Sequence, residues 1–276
     1  MKKRKALFIV GDIVGVLVTV FVFIVPFYFM LANTFKTEKD ANLLNMQWPM
    51  VIHLENYTEV FSKANYQLIT AFRNSIILTL FTVLGLIITG AMAGYVIQRR
   101  HDKTMNVIQW LIMLGLMIPA SILPTINLLQ RMHIYKTMFG MVLIEIALQM
   151  PFTIMLFRGY MASIPKELEE AARIDGCNNF QIFWHIINPL LKPIRATVII
   201  LTAVNTFNDF TNPLYFLPGA ENATVQLTLY NYKGQFKSSY NLLFADIILI
   251  TIPMLILFLI FNKKIVDGMV SGSVKG

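Results

Sequence analysis

The chain has 276 residues, of which 56% are hydrophobic and only 14% are charged. A soluble domain of this length is about half apolar and about a quarter charged, so the composition excludes an ordinary soluble domain. The formal net charge of +8 lies at the ends of apolar blocks rather than on one basic face, which argues against nucleic-acid binding. The single cysteine, Cys177, excludes an intrachain disulfide framework and a cysteine-rich metal site.

Six apolar blocks follow one another, and each can cross a hydrocarbon core about 30 Å thick as a helix of about 20 residues. They occupy residues 6–31, 71–97, 105–128, 138–161, 194–217 and 241–262. The first follows a basic N-terminus, as in a signal peptide, but it is too long for one and no small-residue cleavage site follows it. The sequence therefore predicts an all-α polytopic membrane protein with six transmembrane helices, forming a single domain over residues 1–276.

The basic residues indicate the orientation of these spans. With the N-terminus in the cytoplasm, fifteen of the 23 Lys and Arg residues fall on the cytoplasmic side and eight fall outside, as the positive-inside rule requires. Both termini, the polar loop 162–193 and the tail 263–276 are therefore expected in the cytoplasm. The long loop 33–70, with a short amphipathic segment at 56–61, is expected outside.

No pattern indicates catalysis. The four histidines fall in four different interhelical regions, and the sequence contains no paired-histidine metal motif, nucleophile elbow or phosphate-binding loop. We therefore expect no catalytic residue, no metal site and no cofactor bound by this chain. Any energy that the protein uses must therefore come from an ion gradient or from a partner.

The loop 162–193 contains local signals for the start and the end of helices. Ser163 or Pro165 can open a helix, and Gly176 can end it in the left-handed conformation. The first turns of this helix carry acidic residues, which suit its positive end: Glu167, Glu169 and Glu170. Residues 180–187 repeat large apolar side chains at helical spacing, and prolines stop this second stretch before the fifth span. The pattern predicts a cytoplasmic helix–turn–helix, although an ordinary surface loop is the simpler interpretation for an arbitrary membrane protein.

Several motifs are shared with a known family. Glu170-Ala171-Ala172, then Gly176, Ile186 and Pro189 match the signature of ABC-importer permeases, except that Asn188 stands where the pattern often has leucine. Further matching segments lie before, within and after the spans: Leu54-Glu55-Asn56-Tyr57, Phe72-Arg73-Asn74-Ser75, Pro151-Phe152, Leu156-Phe157-Arg158-Gly159 and the ending 265–276. Together they resemble the second permease of the maltose-type carbohydrate importers.

This resemblance implies a bacterial cytoplasmic-membrane complex that imports a sugar or oligosaccharide by alternating access. Its other members are a second permease forming a heterodimer with this chain, two ATPase subunits that bind ATP and Mg, and an extracellular solute-binding protein. The resemblance assigns ATPase coupling to Glu170, Ala171, Ala172, Asp175 and Gly176. It also implies that the tail contacts the ATPases through Gly268, Ser271, Gly272 and Ser273, whereas a terminus of this composition would by itself be frayed.

Polar side chains also lie inside the predicted spans, where they usually face a cavity or a partner. Glu145 lies in the fourth block, and four residues of the fifth are predicted on one helical stripe ended by Pro213: Asn205, Asn208, Asp209 and Asn212. Such a stripe suits either a sugar path or an interface with the partner permease, and the sequence does not decide between them.

The alternative function is an ion-coupled secondary transporter. It would use the carboxylates of Glu145, Asp209 and Asp246 as an ion relay and would need no ATPase. Such transporters usually have ten or more spans built from an internal repeat, and we find no repeat in this sequence.

Overall fold

The computed structural model describes residues 2–234 and 238–273. Within them the chain is helical apart from short connections and a β-bridge between Lys233 and Ser238, which confirms the predicted all-α class. Short π-helical and 3₁₀ turns occur at Val20–Ile24, Ile182–Ile187, Ala220–Asn222 and Leu229–Tyr232. The α-helices are α1 (Lys2–Thr19), α2 (Val25–Thr34), α3 (Glu38–Ala41), α4 (Glu55–Arg99), α5 (Lys103–Met117), α6 (Ile122–Arg131), α7 (Met138–Met161), α8 (Glu167–Ile174), α9 (Asn179–Gln181), α10 (Asn188–Leu190), α11 (Lys192–Asn208), α12 (Thr211–Phe216), α13 (Val225–Thr228) and α14 (Tyr240–Ser273).

The described residues contain four to six candidate membrane spans. Four segments are long and apolar enough to cross a membrane alone: Gly11–Thr34, Gln67–Arg99, Met138–Met161 and Tyr240–Phe261. Two bent helix pairs can each supply one more: Lys103–Met117 with Ile122–Arg131, and Asn179–Leu190 with Lys192–Asn208. The predicted number of six therefore corresponds to both bent pairs crossing the membrane.

The predicted third span, 105–128, is not one straight helix. α5 and α6 are bent by 118° at a short break between them. Pro119 explains this break, because proline lacks an N–H group and drives the residue before it out of the helical region. Ile118 accordingly has an extended backbone, with ψ of 120°.

The predicted fifth span, 194–217, also ends early. α11 stops at Asn208, and Asp209 has an extended backbone with ψ of 123°. The Asp209 carboxylate accepts hydrogen bonds of 2.9 and 3.2 Å from backbone N–H groups at the start of α12, an Asx-turn that begins this short helix. The predicted single stripe is therefore wrong: Asn205 and Asn208 belong to α11, whereas Asp209 and Asn212 lie beyond its end.

Two other helices are longer than predicted. α4 has 45 residues and absorbs the amphipathic segment 56–61, since no glycine or proline occurs from Glu55 to Leu84 to end it. The backbone of α14 continues through most of the predicted tail to Ser273, and no proline follows Pro253. Residues 274–276 of that tail lie outside the described residues.

The chain divides into two compact units, one within Met1–Ile69 and Thr228–Ile252 and the other within Thr70–Leu227 and Pro253–Gly276, where the sequence alone indicated one domain. In the second unit α4 and α7 approach very closely. A Cβ atom added at Gly90 would lie 2.5 Å from the Thr153 side chain, and one at Gly94 would lie 3.0 Å from Phe157. Small residues spaced by four allow membrane helices this approach.

Candidate functional site: the coupling loop and the polar groove

The predicted coupling loop, 162–193, forms two helical stretches joined by a turn. α8 ends at Ile174 and is terminated by Gly176, two residues later, which has the left-handed φ of +84°. The N–H of Gly176 donates to the carbonyl of Arg173 at 3.1 Å, and the N–H of Cys177 donates to the carbonyl of Ala172 at 2.9 Å. These two bonds form a Schellman ending, which fixes the direction in which the chain leaves α8.

The second stretch is capped equally well. The Asn178 side chain accepts from the Gln181 N–H at 2.9 Å, while the Gln181 side chain accepts from the Asn178 N–H at 2.8 Å, a complete capping box. α11 then leaves at an angle of 76° from the preceding helical stretch. Pro193 lies in the first turn of α11, where no backbone N–H is required.

An apolar cluster fixes the coupling loop to the ends of three longer helices. It contains residues of α4, α7, the loop itself and α11: Ala91, Phe157, Met161, Ile164, Ala172, Ile182, Phe183, Ile187, Leu191, Ile194 and Val198. Each large apolar side chain buried in this way contributes about 1.5–3 kcal/mol. The loop is therefore part of the core of its unit rather than an ordinary surface loop.

Glu169 of α8 is buried and faces α4. Its Oε1 accepts from Arg99 Nε at 2.6 Å and its Oε2 accepts from the Tyr95 hydroxyl at 2.8 Å. Arg99 also donates through Nη2 to the carbonyl of Ile164 at 3.0 Å. The sequence placed Glu169 only as a favourable charge near a helix start, and it missed Arg99 and Tyr95. Because the two members of the ion pair are 70 residues apart in the sequence, no local sequence pattern predicts their contact.

The five predicted coupling residues do not share one exposed face. Ala171 is exposed but Ala172 is not, because successive residues on a helix are turned by about 100°. Ala172 is 5% exposed and packs inward. Beside Ala171 the outer surface carries Leu168 and Ile174, the latter 87% exposed. The predicted coupling residues at the surface are Glu170, Ala171, Asp175 and Gly176.

The predicted tail residues lie on the last helix. The backbone at Gly268, Ser271, Gly272 and Ser273 belongs to α14, and their side chains lie outside what the structure describes. Their predicted contact with ATPase subunits is considered below as a proposal.

A polar cluster joins α7, α11 and the turn after α11. Gln149 Nε2 donates to Glu145 Oε2 at 2.8 Å and to Thr206 Oγ1 at 2.9 Å. Glu145 is 2% exposed, and its carboxyl group also interacts with that of Asp209. Asp209 Oδ2 accepts in turn from Asn212 Nδ2 at 2.6 Å. The fold thus brings together three of the polar residues predicted inside the membrane: Glu145, Asp209 and Asn212. The predicted stripe did not include Glu145.

A groove of about 210 Å³ lies between α7 and α11 and is called here the polar groove. It is lined by Leu148, Gln149, Phe152, Thr153, Leu156, Val198, Leu201, Thr202 and Asn205. Asn205 is exposed there, whereas Asn208 accepts from Gln226 Nε2 at 3.1 Å. Amides, hydroxyls and one aromatic ring in a largely apolar groove can orient a polar ligand. The sequence predicted only Asn205 of these residues.

The third carboxylate of the ion-relay alternative, Asp246, belongs to the first unit. It is buried, and its Oδ2 accepts from Thr228 Oγ1 at 2.7 Å. Glu145 and Asp209 belong to the second unit, so no relay through all three forms within one unit. Among the residues that the structure describes, no group of three or more His, Cys, Asp or Glu is placed to hold a metal ion.

Residues 85–270 match the family described as "Binding-protein-dependent transport system inner membrane component". The chain belongs to this family. The permease is 34% identical to the melibiose/raffinose/stachyose import permease protein MelC of Bacillus subtilis (strain 168), over 91% of both chains. It is 30% identical to the probable starch degradation products transport system permease protein AmyC of Thermoanaerobacterium thermosulfurigenes, again over 91% of both.

A solved structure shares the fold of the permease. A chain of a bacterial ABC transporter involved in the import of the acidic polysaccharide alginate superposes with a TM-score of 0.83, at 21% identity, over 95% of the permease and 98% of that chain. The family and its relatives confirm the resemblance drawn from the sequence motifs, that of a carbohydrate ABC-importer permease. The permease is a multi-pass membrane transport subunit and not an enzyme.

Proposed function

We propose that the permease imports a sugar or oligosaccharide across the bacterial cytoplasmic membrane by alternating access. A second permease forms a heterodimer with it, two ATPase subunits supply the energy by binding ATP and Mg, and an extracellular solute-binding protein delivers the substrate. The observation that carries this proposal is α8, a capped helix that is anchored through its inner face and presents small and apolar residues outward. Relatives named for the import of melibiose, raffinose and stachyose support a sugar as cargo.

The ATPase contact is proposed for the outer surface of α8. Ala171 permits close approach, and Ile174 and Leu168 offer apolar area beside it. Glu170, Asp175 and Gly176 flank this area, while Ala172 supports it from the inside. We place a second ATPase contact on the tail around residues 268–273, which follows the last span. A crystal structure of a bacterial alginate ABC transporter in complex with an alginate pentasaccharide-bound periplasmic protein supports the delivery step.

The experiment that tests the whole proposal is purification of the complex followed by ATPase and uptake assays in proteoliposomes. ATPase activity should co-purify with the permease and rise severalfold with one sugar and its binding protein. Uptake of that sugar should require ATP. Uptake that proceeds on an ion gradient without ATP would instead support the secondary-transporter alternative.

The polar groove is the proposed substrate path of this chain. Asn205→Ala is expected to raise the KM for uptake of the stimulating sugar by about tenfold, because one or two hydrogen bonds, worth about 1–1.5 kcal/mol each, are lost. The control is Asn208→Ala, which removes an amide of the same helix that is bonded to Gln226 and should leave KM unchanged. The measurement is initial uptake at saturating binding protein.

The same pair of variants separates the substrate path from a permease interface. If Asn205→Ala leaves KM unchanged but lowers the yield of the heterodimer, Asn205 belongs to an interface and the path proposal is wrong. If Asn208→Ala changes KM as strongly as Asn205→Ala, the effect does not come from the groove.

The proposed orientation predicts which side of the membrane each loop faces. In a Cys177→Ser background, a membrane-impermeant maleimide should label Lys63→Cys only from outside and Ser163→Cys only from the cytoplasm. Lys63 lies on α4 before its span, and Ser163 lies at the start of the coupling loop. Labelling of Lys63→Cys from the cytoplasm alone would reverse the orientation.

A further inference from the structure

Residues 43–54, between α3 and α4, form an exposed apolar loop. Eight of its twelve residues are large hydrophobic residues at the surface, and Met50 is fully exposed. The segment contains no Asp, Glu, Lys or Arg. A contiguous apolar surface of this kind marks an interaction site rather than ordinary scatter of single hydrophobic residues.

Of the three polar residues of the apolar loop, Gln47 is exposed, whereas Asn45 and the backbone of His53 are bonded inward to residues that precede the loop. Lys36 is buried, and its Nζ donates to Asn45 Oδ1 at 2.8 Å, to the Asn45 carbonyl at 2.9 Å and to Asn33 Oδ1 at 3.0 Å. The His53 N–H donates to the carbonyl of Phe35 at 3.0 Å. The eight large apolar side chains are thus at the surface while the Asn45 side chain is bonded inward, which is unusual for a loop in water.

The apolar loop lies against the side of the first span rather than beyond its end. The Tyr28 hydroxyl donates to the carbonyl of Met46 at 3.3 Å, and the rings of Tyr28 and Trp48 stack with their centroids 6.1 Å apart. Tyr28 precedes the end of the span at Thr34 by six residues, which is about 9 Å along a helix. Trp48 and Met46 are therefore level with the last turns of a membrane-crossing helix.

We propose that the apolar loop is immersed in the interfacial layer of the lipid bilayer, with Trp48, Met50 and Ile52 in contact with lipid. The exposed face of α2 at Phe27 and Tyr28 continues directly into this surface, so one apolar face would meet the same lipid. Trp and Tyr concentrate in this layer. Backbone groups of an irregular loop can meet water and headgroups there, which the hydrocarbon core would not allow.

The depth of the apolar loop can be measured in the complete importer complex, with other cysteines replaced (Cys177→Ser in this chain) and the complex held in phosphatidylcholine nanodiscs. Met50→Cys carries a nitroxide, and power saturation compares its collisions with oxygen, which concentrates in lipid, and with a water-soluble nickel chelate. Phe23→Cys, in the first span, is the lipid reference, and Lys39→Cys, on α3, is the water reference. Ile52→Cys repeats the measurement should Met50→Cys assemble poorly.

The expected oxygen-to-nickel ratio at Met50 is severalfold above that at Lys39 and below that at Phe23, as for a site between water and the middle of the bilayer. A ratio matching Lys39 would place the loop in water and overturn the proposal. Low accessibility to both reagents would mean that a protein partner covers the loop, and this would overturn it too. The leaflet involved, the outer one, rests on the proposed function. The ratio is read without sugar or ATP, so a failure of the proposed function leaves the test of depth intact.

Discussion

Gly176→Val is expected to lower ATP-coupled transport by at least about tenfold while leaving the spans inserted. A β-branched residue at φ of +84° costs on the order of 1–3 kcal/mol, and the chain would relieve this strain by leaving α8 in another direction. Nothing lies within 4 Å of a Cβ atom at this position, so the effect is conformational rather than a clash. The measurement is transport and ATPase activity at matched membrane expression.

Two matched variants make this result specific. Gly176→Asn should keep most of the activity, because asparagine tolerates the left-handed conformation. Gly159→Ala, at an open helical position of α7, should behave like the unaltered permease. Normal transport by Gly176→Val would show that the angle set by this cap does not matter for coupling.

Breaking the buried ion pair between Glu169 and Arg99 is expected to lower ATP-coupled transport about as strongly as Gly176→Val does. Their side chains are 5% and 12% exposed, and removing one partner of such a pair costs about 3–5 kcal/mol because the other charge stays buried. Glu169→Ala and Arg99→Ala should each lower the thermal stability of the permease and the number of substrate molecules moved per ATP. Arg99→Lys keeps the charge but loses the forked donation to Glu169 and Ile164.

The neighbouring acid provides the control for this pair. Glu170→Ala removes an exposed carboxylate of the same helix and should leave thermal stability unchanged. The double variant of Glu169 and Arg99, both to alanine, should lose much less stability than the sum of the single losses. Additive losses would show that the two side chains do not act as a pair.

The sequence predicted the features that depend on neighbouring residues. The fourth predicted block coincides with α7, and Gly176 ends α8 as expected, because an apolar run and a helix cap are each local. Two local features differ from the prediction: Pro119, inside an apolar block, causes the bend after α5, and the helix predicted to end at Pro213 ends at Asp209, whose own side chain stabilises the turn.

Other features could not be predicted because they arise from packing between distant segments. Thr153 and Thr202 are ordinary residues of apolar helices, and only the approach of α7 to α11 makes them line the polar groove. Arg99 looked like a basic residue at the end of a span, which the positive-inside rule explains by itself. Its contact with Glu169 depends on the coupling loop folding back against α4.

The close approach of α4 and α7 at Gly90 and Gly94 has a consequence for the biogenesis of the permease. α5 and α6 separate these two helices along the chain, so α4 leaves the ribosome well before its packing partner has been synthesised. Until then the backbone at Gly90 and Gly94 is exposed to lipid, because the side chains of Thr153 and Phe157 that later pack against it have not been synthesised. The core of this unit therefore closes only after α7 has been inserted, and nascent chains that stop before residue 138 should be substrates for membrane quality-control proteases.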